Sequence, residues 1–353
     1  MAGAAGRPDR ADRRAGRGRR HAGRAALVAG HSGPAGPAVG TAVVTRFRTV
    51  VFTVAVAAFA LALGIAVGAG PLQDDMHDAF NGGPATPAKA DADLRRQESA
   101  LKRTIQYDED AVHALAPGLL ANRLASRPVV VLALPGADKA DVKVVVDDIS
   151  AAGGTLTGQL TIGSELVDPS ARTLVDTLSA GQVKEYDDLE IRKGAGVYER
   201  VGQVVARAVA TGHEAGAPTD DGARSVLNGL TTAGLVRGAP PDQRASLVVF
   251  VAGADGGDAD IDTARARIIA TLAAQFRKRS DGVVVAGPPG SAAPGGAVHG
   301  VRADAAAAKA VSTVDTLDSR LGQVAVIRAL AQQASGTAGH YGVVDAPDGA
   351  MPQ

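Results

Sequence analysis

The sequence predicts an α/β protein: a mostly parallel sheet with helices on its faces, preceded by one amino-terminal transmembrane helix and a short amphipathic helix. Three observations predict it. A strand–helix–strand pattern occurs twice, between residues 128 and 162 and again 117 residues on, between 247 and 286. An uncharged run separates Arg48 from Asp74. The formal charge of +0 over 353 residues is a sum of opposites: residues 1–48 hold ten arginines against Asp9 and Asp12, so of 37 cations and 37 anions the rest keeps 27 and 35.

Residues 1–48 read as a disordered cytoplasmic tail, because Ala, Gly, Arg and Pro supply no apolar periodicity to fold on. A true start near Val43 or Val44, with the tail as upstream sequence, is the other reading of this segment. Residues 49–70 read as the transmembrane helix. Its apolar part, Val50 to Ala69, is 20 residues, about 30 Å at the helical rise of ~1.5 Å per residue, which spans a bilayer. The arginines place the amino terminus in the cytoplasm and everything after Gly70 outside it, a single-pass protein of the cell membrane. A cleaved signal peptide competes, since Gly68 and Gly70 are small, but the run is longer than the ~7–15 apolar residues of such a peptide.

Residues 71–127 follow as an acidic collar (Asp74 to Asp78), a Gly/Pro spacer (NGGPATPAKA) and a short juxtamembrane helix with Leu101, Ile105, Val112, Leu115 and Leu119 at helical spacing, broken by Pro117-Gly118. The helix is expected to pack on the domain behind it. Pairing with a second copy as a coiled coil, and so a homo-oligomer, is the rival, with few heptads to sustain it.

The extracytoplasmic α/β domain is assigned to residues 128–345, with 346–353 as a tail. The β-branched run Val129–Leu134 is a strand, Asp141–Ala152 a helix ended by Gly153-Gly154, and Thr155–Ile162 the next strand. The second unit is Leu247–Ala252, a long helix Ile261–Arg279 and Gly282–Ala286. Helices are expected near 170–179, 198–210 and 221–235. A last strand, Val311–Asp315, precedes a helix with Leu317, Leu321, Val324 and Ala331 on one side. Two such units argue for parallel strands.

In such a sheet ligands sit beyond the carboxyl ends of the strands, here the loops at Gly136, Gly253 and Gly287. Those loops lack GxGxxG, Walker A and GxSxG motifs, so the chemistry that such motifs serve has no residues here and no enzyme is expected. An unrecognised enzyme at the loops is the weakest-founded alternative. Gly194-Ala-Gly196 echoes a nucleotide loop without a strand before it. Asp255, Asp258, Asp260 and Asp262 imitate a calcium loop, but Thr263 and Ile269 stand where Gly and Glu are required; acidic residues at a helix start explain them. The absence of cysteine excludes thiolate metal sites and thiol enzymes. Seven scattered histidines form no ligand spacing. The candidate metal ligands are Met76 and His77 beside Asp74, Asp75 and Asp78, a thioether and an imidazole that suit copper; a solvated acidic collar is the plain alternative. No stably bound cofactor and no nucleic-acid partner are expected.

Three stretches resemble the mycobacterial copper transporter B family of actinobacteria: AAFALALGIAVGAGPL (57–72), VVVLALPGADKADVKVVVDDISAAGGTLTGQLTI (129–162) and VSTVDTLDSRLGQVAVIRALAQQASGTAGHYG (311–342). The resemblance implies an envelope protein that limits intracellular copper, with copper as the transported ion, described as an outer-membrane channel. The residues themselves argue for a narrower role, since one helix encloses no pore and six Phe and four Tyr cannot girdle a transmembrane barrel. A non-catalytic, membrane-anchored binding or scaffold module is the alternative.

Overall fold

Every residue of strand β1 (Pro128–Ala133, PVVVLA) is buried, and the same holds for β4 (Leu247–Val251) and β5 (Gly282–Ala286). Strands buried on both faces need a helical layer on each side, and these strands have them. The computed structural model describes residues 87–353 except 184, 185, 187, 190, 213–215 and 255–258. The expected transmembrane segment, the arginine-rich tail and Met76-His77 lie outside the described residues. Among those described, no helix is long and apolar enough to cross a membrane.

The chain runs α1 (Pro87–Leu120), β1, α2 (Lys139–Ala151), β2 (Thr155–Ile162), α3 (Ser164–Val167), a 3-10 turn, α4 (Arg172–Gln182), α5 (Val197–Val209), α6 (Asp221–Thr232), β3 (Val236–Arg237), β4, α7 (Ala259–Arg279) and β5. A second 3-10 turn, α8 (Ala297–Ala303), α9 (Ala305–Ala310), β6 (Ser312–Val314), α10 (Arg320–Gln333) and β7 (His340–Tyr341) complete it. The strands form one sheet in the order β3-β2-β1-β4-β5-β6-β7, parallel throughout except β3, which pairs antiparallel to β2. A register shift between Val129 and Val130 leaves Thr157 of β2 as an extra residue, and its hydroxyl donates to the Val129 carbonyl at 3.2 Å.

Side-chain alternation along the strands divides the core in two. Val130, Leu132, Val248, Phe250, Val283 and Val285 face the layer of α4 to α8, where Phe250 meets Phe276 edge-on at 5.1 Å. Val129, Val131, Val249, Val251 and Val284 face α2, α10 and the last turn of α1. Asp138, Asp220 and Ser319 cap α2, α6 and α10 through bonds to backbone amides.

Several expectations need correction. α1 is not short: it begins inside the Gly/Pro spacer, at Pro87, and passes through Pro117 to Leu120. Proline suits a first helical position, and the carbonyl that Pro117 leaves unbonded belongs to exposed His113, within reach of water. Nor does α1 pack on the domain along its length. Ala116 and Leu120, with Leu124 beyond, enter the core, while Leu94, Leu101, Ile105 and Leu115 stay exposed. The helix expected to 235 stops at Thr232, and Val236–Arg237 is a strand.

The two helices of the second layer are joined by a buried ion pair. Arg320 at the start of α10 meets Asp148 of α2 with both nitrogens, at 2.5 and 2.9 Å, and the side chains are only 12% and 7% exposed. Removing one partner strands a buried charge. Asp148→Ala should therefore lower stability by about 3–5 kcal/mol in urea unfolding, whereas Asp148→Leu with Arg320→Met should restore most of that loss.

Candidate functional site

The chain leaves β1 toward β2 and leaves β4 toward β5, so the sheet reverses direction between β1 and β4. A crevice at their carboxyl ends is the ordinary ligand position of this architecture. Here backbone closes it. Leu134 N–H donates to Val251 O (2.8 Å), Ala252 N–H to Ala286 O (2.7 Å) and Gly287 N–H to Val314 O (2.9 Å), which ties the successive loops together. A methyl group on Gly253 would stand 2.1 Å from the Gly136 carbonyl oxygen, so only glycine lets the two loops touch. The third loop is filled too, since a side chain on Gly287 would meet the Ser291 hydroxyl at 2.6 Å. Of the three loops that the sequence names, those at Gly253 and Gly287 are packed shut, while the loop at Gly136 borders a cleft.

The free cleft lies one strand over, a volume of about 470 Å³ between α2 and the β2–β3 edge. Its position follows from the sheet: β2 reaches past the helices of the second layer, leaving Gln159 exposed and Thr161 half-buried. Arg237 is the cross-strand neighbour of Thr161, so the two share a face. Lys139 closes the α2 side, Ser164 the far end, and Val142 and Ile162 supply an apolar wall. No carboxylate lines this cleft, and Lys139 and Arg237 make no ion pair among the described residues. The Ser164 hydroxyl donates to Glu165 at 3.1 Å. No histidine lines the cleft to activate that hydroxyl, so the arrangement suits holding an oxyanion better than covalent chemistry.

A second cleft, of about 580 Å³, opens at the amino ends of β4 and β5. Among the described residues, six cations and three carboxylates line it, and only some of them are paired. Arg207 meets Asp188 at 2.8 Å and Asp220 at 2.8 Å and lies 4.8 Å over the Tyr186 ring, while Arg279 also reaches Asp188 at 3.3 Å. Burial works to raise the Asp188 pKa, but the bond and charge of Arg207 and the charge of Arg279 outweigh it and hold the carboxyl below its usual range. Arg277, Lys278 and Arg279 sit in the last turn of α7 and Arg207 in that of α5, where cations complement the negative helix ends. Arg277 and Lys278 form no ion pair among the described residues; Arg277 donates to the Ser280 carbonyl at 2.8 Å and Lys278 to the Gln275 side-chain oxygen at 2.9 Å, so this cleft keeps a cationic excess.

The Gly194-Ala-Gly196 segment carries no phosphate site. Gly196 precedes α5, and its N–H is already bonded to the Glu199 carboxylate at 2.8 Å, the place an anion would take. In the imitation of a calcium loop, Asp262 pairs with Arg265 at 2.6 Å; Asp255 and Asp258 lie outside the described residues.

At the far edge of the sheet a chain of buried polar groups binds the carboxyl-terminal segment. Arg302 donates from Nε to Thr313 Oγ1 (2.8 Å), from Nη1 to Asp315 (2.8 Å) and from Nη2 to the Tyr341 carbonyl (2.9 Å). Asp315, fully buried, accepts Val343 N–H at 2.7 Å. Any side chain on Gly342, whose φ is +136°, would strike the Asp315 carboxylate. His340 lies with Nδ1 2.9 Å from the Thr313 hydroxyl and Nε2 3.1 Å from the Ala308 carbonyl, a pattern that assigns the proton to Nε2 and makes Nδ1 the acceptor.

The family described as "Copper transport outer membrane protein, MctB" matches residues 44–352 of the chain. The chain belongs to this family. "Copper transporter MctB" of Mycobacterium tuberculosis (strain ATCC 25618 / H37Rv) is 26% identical over 296 residues, covering 80% of this chain and 91% of the relative. The protein of the same name from Mycobacterium leprae (strain TN) is 27% identical over 235 residues, 62% of this chain and 71% of the relative.

Within this MctB-family chain, the resemblant stretch 311–342 is the one that supplies Thr313, Asp315 and His340 to the polar chain at the sheet edge, so its residues act in the fold. Copper chemistry finds little in the described domain. No group of three or more His, Cys, Asp or Glu there could hold a metal ion. His113 is exposed on α1, His299 half-buried on α8 and His340 occupied as above, while Met76 and His77 lie outside the described residues.

His340 has a pKa below its ordinary value, first through burial and then through the charge of Arg302. The unfolded ring takes a proton near pH 6.5. On acidification the unfolded chain is therefore protonated before the folded one, and stability falls from about pH 6.5 downward until the folded ring also titrates. His340→Gln should flatten the slope of melting temperature against pH between about 7 and 5; an unaltered slope would assign that dependence elsewhere.

Proposed function

We propose that this chain is a membrane-anchored copper-homeostasis protein of the cell envelope, with its α/β domain outside the cytoplasm, that limits intracellular copper without catalysis. The observation that carries this reading is the family match across residues 44–352. The charge asymmetry about residues 49–70 supports the orientation, by the tendency of cationic segments to stay in the cytoplasm. Copper is the cargo in this reading, and Met76 and His77 are the soft donors nearest the outer end of the apolar segment in sequence. Membrane fractionation with protease shaving tests the topology: the α/β domain should be cut from intact cells lacking an outer barrier, and it should fractionate with membranes. Deleting the gene should raise cytoplasmic copper under copper load, and unchanged copper with altered envelope integrity would sink the copper role.

A second reading, a non-catalytic binding module, is favoured by the cleft beside β3. Two cations with no carboxylate partner, three polar side chains and an apolar wall suit a small organic phosphate or carboxylate. Calorimetry of the full chain with glycerol phosphate and with citrate should detect binding. Arg237→Gln with Lys139→Gln should weaken it by about 10-fold or more, the size expected for lost charge-assisted bonds, with no change in melting temperature because both side chains are exposed. Equal binding by this variant would dismiss the cleft.

A further inference from the structure

The cleft at the amino ends of β4 and β5 carries more positive charge than its carboxylates neutralise. Among the described residues, six cations and three carboxylates line it. Outside the lining, Asp220 on Arg207 and Arg127 on Asp281 offset each other. The carboxyl ends of α5 and α7 border the cleft and bring about −0.5 each, so the excess of three falls to about +2. The preference of cations for helix ends accounts for Arg207, Arg277, Lys278 and Arg279. It does not account for Arg192 and Arg244, which stand on the connections before α5 and β4 and line the same cleft.

These charges differ in how far they are committed. Arg207 and Arg279 are fixed on Asp188. Arg277 and Lys278 bond only to neutral oxygens and keep their full charge. The ion pair of Arg244 with Asp220 is stretched to 3.9 Å, and its Nε is buried with no hydrogen-bond partner, a desolvated donor that nothing offsets. The Arg192 side chain is 72% exposed, so its pair with Glu199 at 3.1 Å is screened and weak.

Their placement is linear. The lining follows one face of α5 from Glu199 to Ala210, about 16 Å at ~1.5 Å per residue. Arg192, held at Glu199, and Arg207 stand about 12 Å apart along that face. Lys278 reaches the middle, since the Gln275 oxygen it bonds also accepts the amide of Gln203 at 3.1 Å. A cleft of about 580 Å³ suits a small ligand rather than a folded partner. Among the described residues its apolar lining is Ala195 and Ala210, which give a carbon skeleton little to pack on. An anion that carries charge along its whole length and has little carbon meets both conditions, and guanidinium forks match phosphate oxygens.

We propose that this cleft binds a linear oligophosphate, with Arg192, Lys278 and Arg207 meeting successive phosphate groups and Arg277 and Arg244 as further donors. The site depends on neither reading given above. The test is calorimetry of the full chain in detergent with sodium tripolyphosphate, in metal-free buffer so that chelation contributes no heat. Tripolyphosphate should bind about 10-fold or more tighter than orthophosphate, because linked groups bind together, and should weaken as sodium chloride is raised. Arg277→Gln with Lys278→Gln should weaken binding about 10-fold or more; neither residue has an ion-pair partner to strand, so the melting temperature should hold. Lys278→Glu, a change at one exposed side chain, should act in the same direction even if the double variant unfolds. Arg237→Gln with Lys139→Gln should leave tripolyphosphate binding unchanged, which separates this site from the cleft beside β3. No binding, equal affinity for orthophosphate, full binding by the Lys278 variants, or loss in the Arg237 and Lys139 variant instead would overturn the proposal.

Discussion

The whole domain depends on one constraint: β1, β4 and β5 carry apolar side chains on both faces, and a sheet of that kind is stable only when both faces are covered. Covering them requires two helical layers, and two layers require chain on both sides of the sheet. The β1 and β4 connections therefore depart in opposite directions, so their two loops become neighbours at the centre. The contact of Gly253 with the Gly136 carbonyl is a product of that arrangement, and it is what turns the expected ligand crevice into packed backbone. The usable space moves to the sheet edge, where the second layer runs out over β2. Position in the sheet, rather than any motif, locates the cleft.

How much of this can be read without coordinates varies with the physics of each part. β2 and β5 agree with the sequence reading to the residue, because glycines bound both and β-branched residues make up half of β2 and most of β5. The long helices other than α1 agree within a few residues. The two-residue strands β3 and β7 are invisible, since they form by pairing with an edge and have no period of their own; glycines at 234 and 238 mark the turns around β3 and nothing more. The Arg320–Asp148 pair spans 172 positions and no local pattern announces it. Arg237 is unreadable for the same reason, because its place beside Thr161 depends on a pairing. For α1 the Pro117-Gly118 signal points to an end, and the helix outlasts it by one turn because the carbonyl it exposes is already in water.

Chemistry is unevenly spread along this member of the MctB family. The described domain has hard, charged and backbone donors in quantity, and it commits most of them to ion pairs, caps and the polar chain around Arg302. Soft donors are scarce in it: no cysteine, and Met351 as its one methionine, packed on the core among the described residues. A domain so composed is better suited to holding shape and small anions than to competing for a soft cation.

α1 also sets a distance. Its 34 residues make a rod of about 51 Å at ~1.5 Å per residue, about twice the length of the longest strand, the eight residues of β2. A loop of the same length would behave as a slack tether whose ends wander and whose pull averages away. A rod instead converts a tilt at one end into a sideways swing of the other, so motion at residue 87 and motion at the sheet are geared together.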